Sequence, residues 1–192
     1  MVESRFDAFC RQAFQFLDEC QVRHLVIGGL AVAAVGEPRT TGDADVIAFI
    51  SQEEAERLIE KGAGAGFELK PLVEKERLQT TGTLRFRKGR FQLDMILASL
   101  PFEEAAFRRS SRRKLFGRQL NFPTPEDLIL FKVLSGRDKD LVDAAGVARR
   151  HGKKLDRKYI EESLRPICDL AEDLTPLKRL REVLEKGAGG SG

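Results

Sequence analysis

The chain has 192 residues, of which 42% are hydrophobic and 33% charged. This balance is typical of an ordinary globular protein and excludes a largely disordered chain. The formal charge of +3 is mildly basic, which permits a nucleic-acid partner without requiring one. No apolar stretch is long enough to span a membrane, and the N-terminal residues lack the unbroken apolar core of a signal peptide. We therefore expect a cytoplasmic protein with no membrane partner.

The cysteines and histidines are isolated from one another in the sequence. Cys10, Cys20 and Cys168 form no CxxC pattern, and neither His24 nor His151 lies at a zinc-ligand spacing from them. The sequence therefore predicts neither a zinc site nor a disulfide framework, and any catalytic chemistry has to come from other residue types.

The first third of the chain predicts alternating helices and strands. Helical spacing of apolar residues indicates an amphipathic helix over 4–21, and the apolar run 24–27 indicates a short strand. Gly28-Gly29 then predicts a turn that leads into a short helix. Ser51, with Glu54 three residues later, has the pattern of a capping box at the start of another helix. The glycines of KGAGAGF follow that helix rather than a strand, so they indicate a helix end and not a dinucleotide-binding loop.

Two strands are predicted to carry acidic residues. The alternation in DADVIAFI places Asp43 and Asp45 on one strand face. A hairpin is predicted around Lys88-Gly89, and on its second strand Asp94 emerges opposite the apolar row. A second hairpin is predicted over 113–122, around Gly117.

The last third of the chain predicts helices. Thr124 and Pro125 have the pattern of a helix start, and Asp138 is the expected cap of the next helix. Further helices are expected over 156–172 and 175–186. We therefore divide the chain into an α/β core, a C-terminal helical part packed on it and a flexible tail: 1–122, 123–186 and 187–192.

The segment GGLAVAAVGEPRTTGDADV resembles a known superfamily. A Gly-Gly turn and a helix that lead to an Arg-x-Thr-x-Asp-x-Asp segment are similar to the nucleotidyltransferases, most closely the AbiEii-type and toxin-like (MNT-related) bacterial branch. The resemblance covers 22–50 well, and 91–97 and 125–148 more loosely. It implies an α/β (α+β) nucleotidyltransferase fold, with a mixed sheet flanked by helices and a C-terminal helical segment.

The resemblance implies a metal site at the acidic strands. Asp43, Asp45 and Asp94 would be catalytic residues that bind Mg²⁺ or Mn²⁺, and Asp94 would also take the proton of an attacking hydroxyl group. Carboxylates at alternate positions of a strand supply the hard oxygen ligands that such ions prefer. The ordinary alternative for Asp94 is an exposed strand residue.

The resemblance also implies a nucleoside triphosphate as substrate. Gly28 and Gly29 would bring backbone N–H groups to the phosphates, and Arg39, Thr40 and Thr41 would bind phosphate oxygens. Arg39 has the alternative of pairing with a surface acid.

Two helices of the C-terminal part carry the remaining candidates. Lys132 is implied as a catalytic and nucleotide-binding residue that offsets charge on the triphosphate, with a solvated helix residue as the alternative. Asp140 and Asp143 share a helix face and would support Lys132, although helix-start charges and ion pairing explain them equally simply.

The predicted reaction is the transfer of a nucleoside monophosphate from an NTP to a hydroxyl group of tRNA or of a protein. A basic cluster at 108–114, together with cations at 85–90, favours tRNA, although a solvated surface also explains the cluster. The resemblance further suggests the toxin of a toxin–antitoxin pair, with a cognate antitoxin as partner. The alternatives are a non-catalytic binding or regulatory module with the same fold and a metal-dependent phosphodiesterase.

Overall fold

The structure, a computed structural model, describes residues 4–37 and 40–188. The helices are α1 (Arg5–Glu19), α2 (Gly28–Val35), α3 (Gln52–Gly64), α4 (Pro71–Thr81), α5 (Pro101–Arg109), α6 (Pro125–Ser135), α7 (Asp138–His151), α8 (Arg157–Ala171) and α9 (Thr175–Ala188), with a 3₁₀ turn at Gly152–Lys154. The strands are β1 (His24–Ile27), β2 (Asp43–Ala48), β3 (Thr83–Lys88), β4 (Phe91–Leu97), β5 (Ser111–Leu115) and β6 (Arg118–Phe122). None of the helices in the described part of the chain has the length and apolar character needed to cross a membrane.

The chain divides into two compact units. Within the described residues, the first comprises 4–30 and 40–122, and the second comprises 31–37 and 123–188. The division falls inside α2, so the Gly-Gly turn belongs to the first unit and the rest of that helix to the second. Residues 31–37 thus belong to the second unit and not, as predicted, to the 1–122 core.

The first unit is built around a mixed sheet with the strand order β1-β2-β4-β3. β1 runs antiparallel to β2, β2 runs parallel to β4, and β3 and β4 form an antiparallel hairpin. β5 and β6 form a separate hairpin. The mixed sheet flanked by helices and both hairpins are confirmed.

One face of this sheet forms the core of the first unit. Leu84, Phe86, Leu93 and Met95 are all completely buried on it. α1 covers this face, with the ring of Phe16 5.3 Å from that of Phe86. α3 also packs against this face, since a Cβ atom on its Gly62 would lie 2.8 Å from the Phe86 ring. Since side chains alternate along strands, the polar residues of β3 and β4 emerge on the other face.

Local sequence signals located several helix ends correctly. The Ser4 hydroxyl accepts the N–H of Asp7 at the start of α1, and Ser51 and Glu54 form the predicted capping box of α3. α4 and α5 were not predicted. In α4, Leu72 and Val73 are exposed whereas Glu74 and Leu78 are buried, so its apolar residues are divided between the packed and the exposed face.

The second unit consists of helices. Thr124 caps α6 as predicted, since its hydroxyl accepts the N–H of Asp127. The predicted cap of α7 is wrong, because Arg137 is the cap residue and Asp138 is already the first residue of the helix. α9 continues through Ala188, past the predicted start of the tail at 187, and 189–192 lie outside the described residues.

Candidate active site

The polar face of the sheet brings two predicted site residues together. Asp45 of β2 and Asp94 of β4 lie directly opposite each other on parallel neighbouring strands. Adjacent strands are about 4.8 Å apart, so these side chains are close neighbours on one face. Asp43, two residues before Asp45, shares that face and is exposed, whereas Asp45 and Asp94 are partly buried. The two-strand acidic arrangement therefore exists on the two inner strands of the sheet.

The Gly28-Gly29 turn packs directly against this acidic row. Gly28 has a φ of +62°, and a Cβ atom there would overlap the carboxylate of Asp45, 2.6 Å from its Cγ atom. A Cβ atom on Gly29 would lie 2.6 Å from the Thr41 hydroxyl oxygen. Glycine is thus required at Gly28 for two reasons, a left-handed backbone and a close approach. Because α2 begins here, its first N–H groups lie beside the acidic strand end.

The loop before β2 is held by Thr41. Its hydroxyl donates to the Asp43 carbonyl oxygen at 2.9 Å and accepts the Asp43 N–H at 3.4 Å. These contacts fix the point at which Asp43 enters the strand. Thr40 is exposed, and Arg39 lies outside the described residues.

Asp94 is bound by an arginine that was not predicted as its partner. Arg85 lies opposite Asp94 in the β3–β4 hairpin, and its Nε and Nη2 atoms donate to the two carboxylate oxygens at 2.6 and 2.8 Å. The Arg85 backbone N–H donates to the buried carboxylate of Glu74 at 2.9 Å. The hydrogen bonds to Asp94 raise the pKa of Arg85, and the negative charges of Glu74 and Asp43 act in the same direction. Arg85 therefore belongs to the acidic site.

The pairing of Asp94 with Arg85 is predictable from the hairpin pattern. With Lys88 opposite Phe91 across a two-residue turn, counting back along both strands places Arg85 opposite Asp94. Arg85 was predicted instead to be one of the surface cations at 85–90.

Asp43 and Asp45 have the chemistry of a magnesium or manganese site. Mg²⁺ is usually held by one or two carboxylates together with substrate phosphates, and both aspartates face the same side of β2. Among the residues that the structure describes, no group of three or more His, Cys, Asp or Glu side chains is arranged to hold a metal. The pair fits the ion, whereas Asp94 is occupied by Arg85, so its role as a metal ligand stays a prediction.

Lys132, Asp140 and Asp143 form a buried cluster in the second unit. The Lys132 ammonium group donates to Asp140 Oδ1 at 2.5 Å and to Asp143 Oδ2 at 2.9 Å. Asp140 also accepts hydrogen bonds from Ser135 at 2.7 Å and Arg137 at 2.5 Å. Although burial raises the pKa of Asp140, the hydrogen bond from Lys132 and those from Ser135 and Arg137 leave it below its usual range. Both aspartates thus hold Lys132, whose role toward a nucleotide stays a prediction.

The basic cluster at 108–114 spans the end of α5 and most of β5. Arg108, Arg112 and Lys114 are exposed, and Arg112 and Lys114 share one face of the hairpin strand. Their setting is a helix end followed by a regular strand rather than an open loop.

Comparison with known proteins shows a likeness in structure alone. No protein-family model and no curated protein matches the chain. The solution structure of the antibiotic-resistance factor ANT(2'')-Ia superposes with a TM-score of 0.58 at 16% identity, covering 86% of this chain and 94% of that one. An antigenic nucleotidyltransferase-like protein from Paracoccidioides brasiliensis superposes with a TM-score of 0.50 at 15% identity, covering 92% of each chain. The lincosamide antibiotic adenylyltransferase LnuA superposes with a TM-score of 0.50 at 14% identity, covering 75% of this chain and 96% of that one. The predicted AbiEii-type branch stays a prediction, and what these likenesses establish is that the chain has the nucleotidyltransferase fold.

Proposed function

We propose that this protein transfers a nucleoside monophosphate from an NTP to a hydroxyl group and releases pyrophosphate. The observation that carries the proposal is the contact between the Gly28 turn and Asp45, with Asp94 in register on the next strand. A backbone turn that approaches a carboxylate row this closely has N–H groups that could bind phosphate beside oxygens that could bind a metal. The nucleotidyltransferase fold of the structural neighbours supports this assignment.

The turn would bind the triphosphate. Gly28 and Gly29 bear no side chains that would cover their N–H groups, and the start of α2 carries a partial positive charge. Thr41 sets the distance between the loop and the turn, because its hydroxyl lies where a Gly29 side chain would be. The exposed Thr40 hydroxyl is an additional candidate for a phosphate contact.

Asp43 and Asp45 would hold Mg²⁺ or Mn²⁺, which when bound supplies positive charge that stabilises the phosphate oxygens of the NTP. The exposed Asp43 lies at the start of β2, where an incoming nucleotide has access to it. Asp45 is partly buried and is held against the turn, so its position is the more rigid of the two.

Asp94 would receive the proton. In the reaction, the acceptor oxygen forms a bond to the α-phosphorus, the bond from that phosphorus to the bridging oxygen breaks, and pyrophosphate leaves. The proton lost by the hydroxyl group passes to the Asp94 carboxylate. Its position opposite Asp45, which packs against the Gly28 turn, supports this role.

We infer that the acceptor is RNA, with tRNA as the first choice. Arg87, Lys88 and Arg90 are exposed at the turn of the β3–β4 hairpin, at the end of β4 that leads to Asp94. The Arg90 guanidinium lies over the Phe91 ring, 5.0 Å from its centroid. Cations interleaved with an aromatic ring are typical of nucleic-acid surfaces. A protein acceptor is the alternative, and an ANT(2'')-Ia structure in complex with adenylyl-2''-tobramycin suggests small molecules as a further control.

A toxin role is part of the same proposal and is supported by the sequence resemblance. Expression of the wild-type chain in bacteria would then slow growth, and Asp45→Asn would relieve the effect because it removes the metal-binding carboxylate. Equal growth of the two cultures would argue against a toxin without bearing on the chemistry.

The activity is tested by incubating the protein with Mg²⁺, each α-labelled NTP and total tRNA. We expect label on RNA with the wild type and with Asp138→Asn, a control that removes an exposed acid at the start of α7. Asp43→Asn and Asp45→Asn should abolish it. NTP binding without label would favour the non-catalytic module, and shortened RNA without label would favour the phosphodiesterase.

A further inference from the structure

The contact between Arg85 and Asp94 is built into the first unit from several sides. The two side chains are only 27% and 16% exposed, and both oxygens of the carboxylate are taken by the guanidinium fork. Gln92 adds a longer hydrogen bond to Asp94 at 3.4 Å, and Glu74 holds the Arg85 backbone. The pair is therefore a fixed feature of the site rather than a mobile surface ion pair.

The same contact conflicts with the chemistry proposed for Asp94. A carboxylate whose two oxygens both accept hydrogen bonds from a guanidinium group has few lone pairs left to face a metal or an acceptor hydroxyl group. However, Asp94 lies opposite Asp45 and on the face of Asp43, and neighbouring carboxylates repel one another when no cation is present. Arg85 supplies the missing positive charge.

We propose that Arg85 and a divalent cation compete for Asp94, so that Arg85 holds the carboxylate until the metal takes its place. This inference rests on the proposed function, because it assumes that the acidic row binds metal. Asp94 is then released from the guanidinium group only in the metal-loaded site. Arg85 is accordingly a positioning residue, which acts on the reaction through Asp94.

The hairpin offers a matched control for charge. Arg87 lies two residues beyond Arg85 on the same face of β3, opposite Gln92 instead of Asp94, and is exposed. Arg87→Gln therefore removes one positive charge close to the acidic row without removing the partner of Asp94. Any general increase in cation affinity that follows from lost positive charge appears in both variants.

The test is the dissociation constant of Mn²⁺, measured from the electron paramagnetic resonance signal of the free ion in the presence of a non-hydrolysable NTP analogue. We expect Arg85→Gln to bind Mn²⁺ about five-fold more tightly than Arg87→Gln, the scale of a lost ion-pair competitor. In an Asp94→Asn background the two arginine variants should be equal. Arg85→Lys keeps the charge but not the two-point contact, so it should give a smaller gain and serves if Arg85→Gln is unstable.

Two results would overturn the inference. One is that Arg85→Gln binds Mn²⁺ no more tightly than Arg87→Gln. The other is that the difference in Mn²⁺ affinity between these two variants stays the same when Asp94 is replaced by asparagine. If the wild type binds Mn²⁺ and Asp45→Asn does not, either of these two results contradicts the competition between Arg85 and the metal but leaves the proposed function standing. If the wild type binds no Mn²⁺, the proposed function fails with it.

Discussion

Replacing Gly28 with alanine tests whether the candidate active site depends on the close approach of the turn to Asp45. The substitution has two effects, since it puts a side chain on a backbone with a φ of +62° and pushes a Cβ atom into the Asp45 carboxylate. Gly82, the residue after α4, is a control that separates these two effects. It has the same φ of +62°, but a Cβ atom there would have only Leu97 Cβ nearby, at 4.0 Å.

The expected loss of stability differs between the two variants. A left-handed backbone destabilises a residue with a side chain by about 1–2 kcal/mol, which is the whole effect expected of Gly82→Ala. Gly28→Ala adds the displacement of a partly buried side chain, and forcing extra atoms into a packed site costs about 1–3 kcal/mol more. We therefore expect about 2–5 kcal/mol for Gly28→Ala. Since Asp45 has to move, Mn²⁺ affinity should also fall about ten-fold or more in this variant alone.

Urea denaturation followed by circular dichroism measures the free energy of unfolding of both variants, and Mn²⁺ titration measures the site. The reasoning is refuted if Gly28→Ala is no less stable than Gly82→Ala, or if it binds Mn²⁺ as tightly as the wild type. Either outcome would show that Asp45 is not held against the turn.

Three further predictions concern buried groups. Lys132→Met leaves the buried carboxylates of Asp140 and Asp143 without their shared cation, so the free energy of unfolding measured in urea should fall by about 3–5 kcal/mol. Burial lowers the pKa of His24, so the unfolded chain binds the proton more readily than the folded protein does. The free energy that His24 contributes to stability should therefore be complete above the unfolded pKa and decline as the pH falls from about 7 to about 5. The His24→Phe variant should flatten this part of the curve of Tm against pH. Burial raises the pKa of the Cys10 thiol to about 12, so its modification by a thiol reagent at neutral pH, mapped by peptide mass spectrometry, should be slow in the native protein and fast in urea.

Each of these has a distinct contrary outcome. An unchanged unfolding curve for Lys132→Met would mean that the two aspartates are stabilised in another way. The same pH slope in the wild type and in His24→Phe would remove the histidine as its source. Rapid native labelling of Cys10 would show that α1 opens readily.

The site residues that were predictable are those fixed by local patterns. Strand alternation placed Asp43 and Asp45 on one face and Asp94 opposite the apolar row, because a side-chain period of two leaves few alternatives. The Gly-Gly turn itself was predicted, and its approach to a triphosphate stays a prediction, whereas the close packing of Gly28 against Asp45 was not predicted. What alternation left open was the register between β2 and β4, which depends on tertiary structure.

The features that escaped prediction depend on burial and on distant partners. α4 has exposed apolar residues and a buried glutamate, Glu74, so hydrophobic periodicity does not reveal it. Lysine is rarely buried, and nothing local to Lys132 shows that its ammonium group is enclosed by a neighbouring helix. Arg85 is different, since the two-residue turn fixes its position opposite Asp94. The Arg85–Asp94 pair was missed because Arg85 was assigned to the surface cations.

The connectivity of the sheet also has a consequence for the order in which the site forms. Arg85 and Asp94 lie nine positions apart in one hairpin, whereas Asp45 reaches Asp94 only through a parallel pairing across a long connection. Hairpins form within microseconds, and long-range parallel pairing is slower because more chain entropy is lost first. We therefore expect Asp94 to be already neutralised by its arginine when β2 docks with two further negative charges. The guanidinium group would then lower the electrostatic barrier to closing the sheet, so a residue placed next to the chemistry would also help the protein to fold.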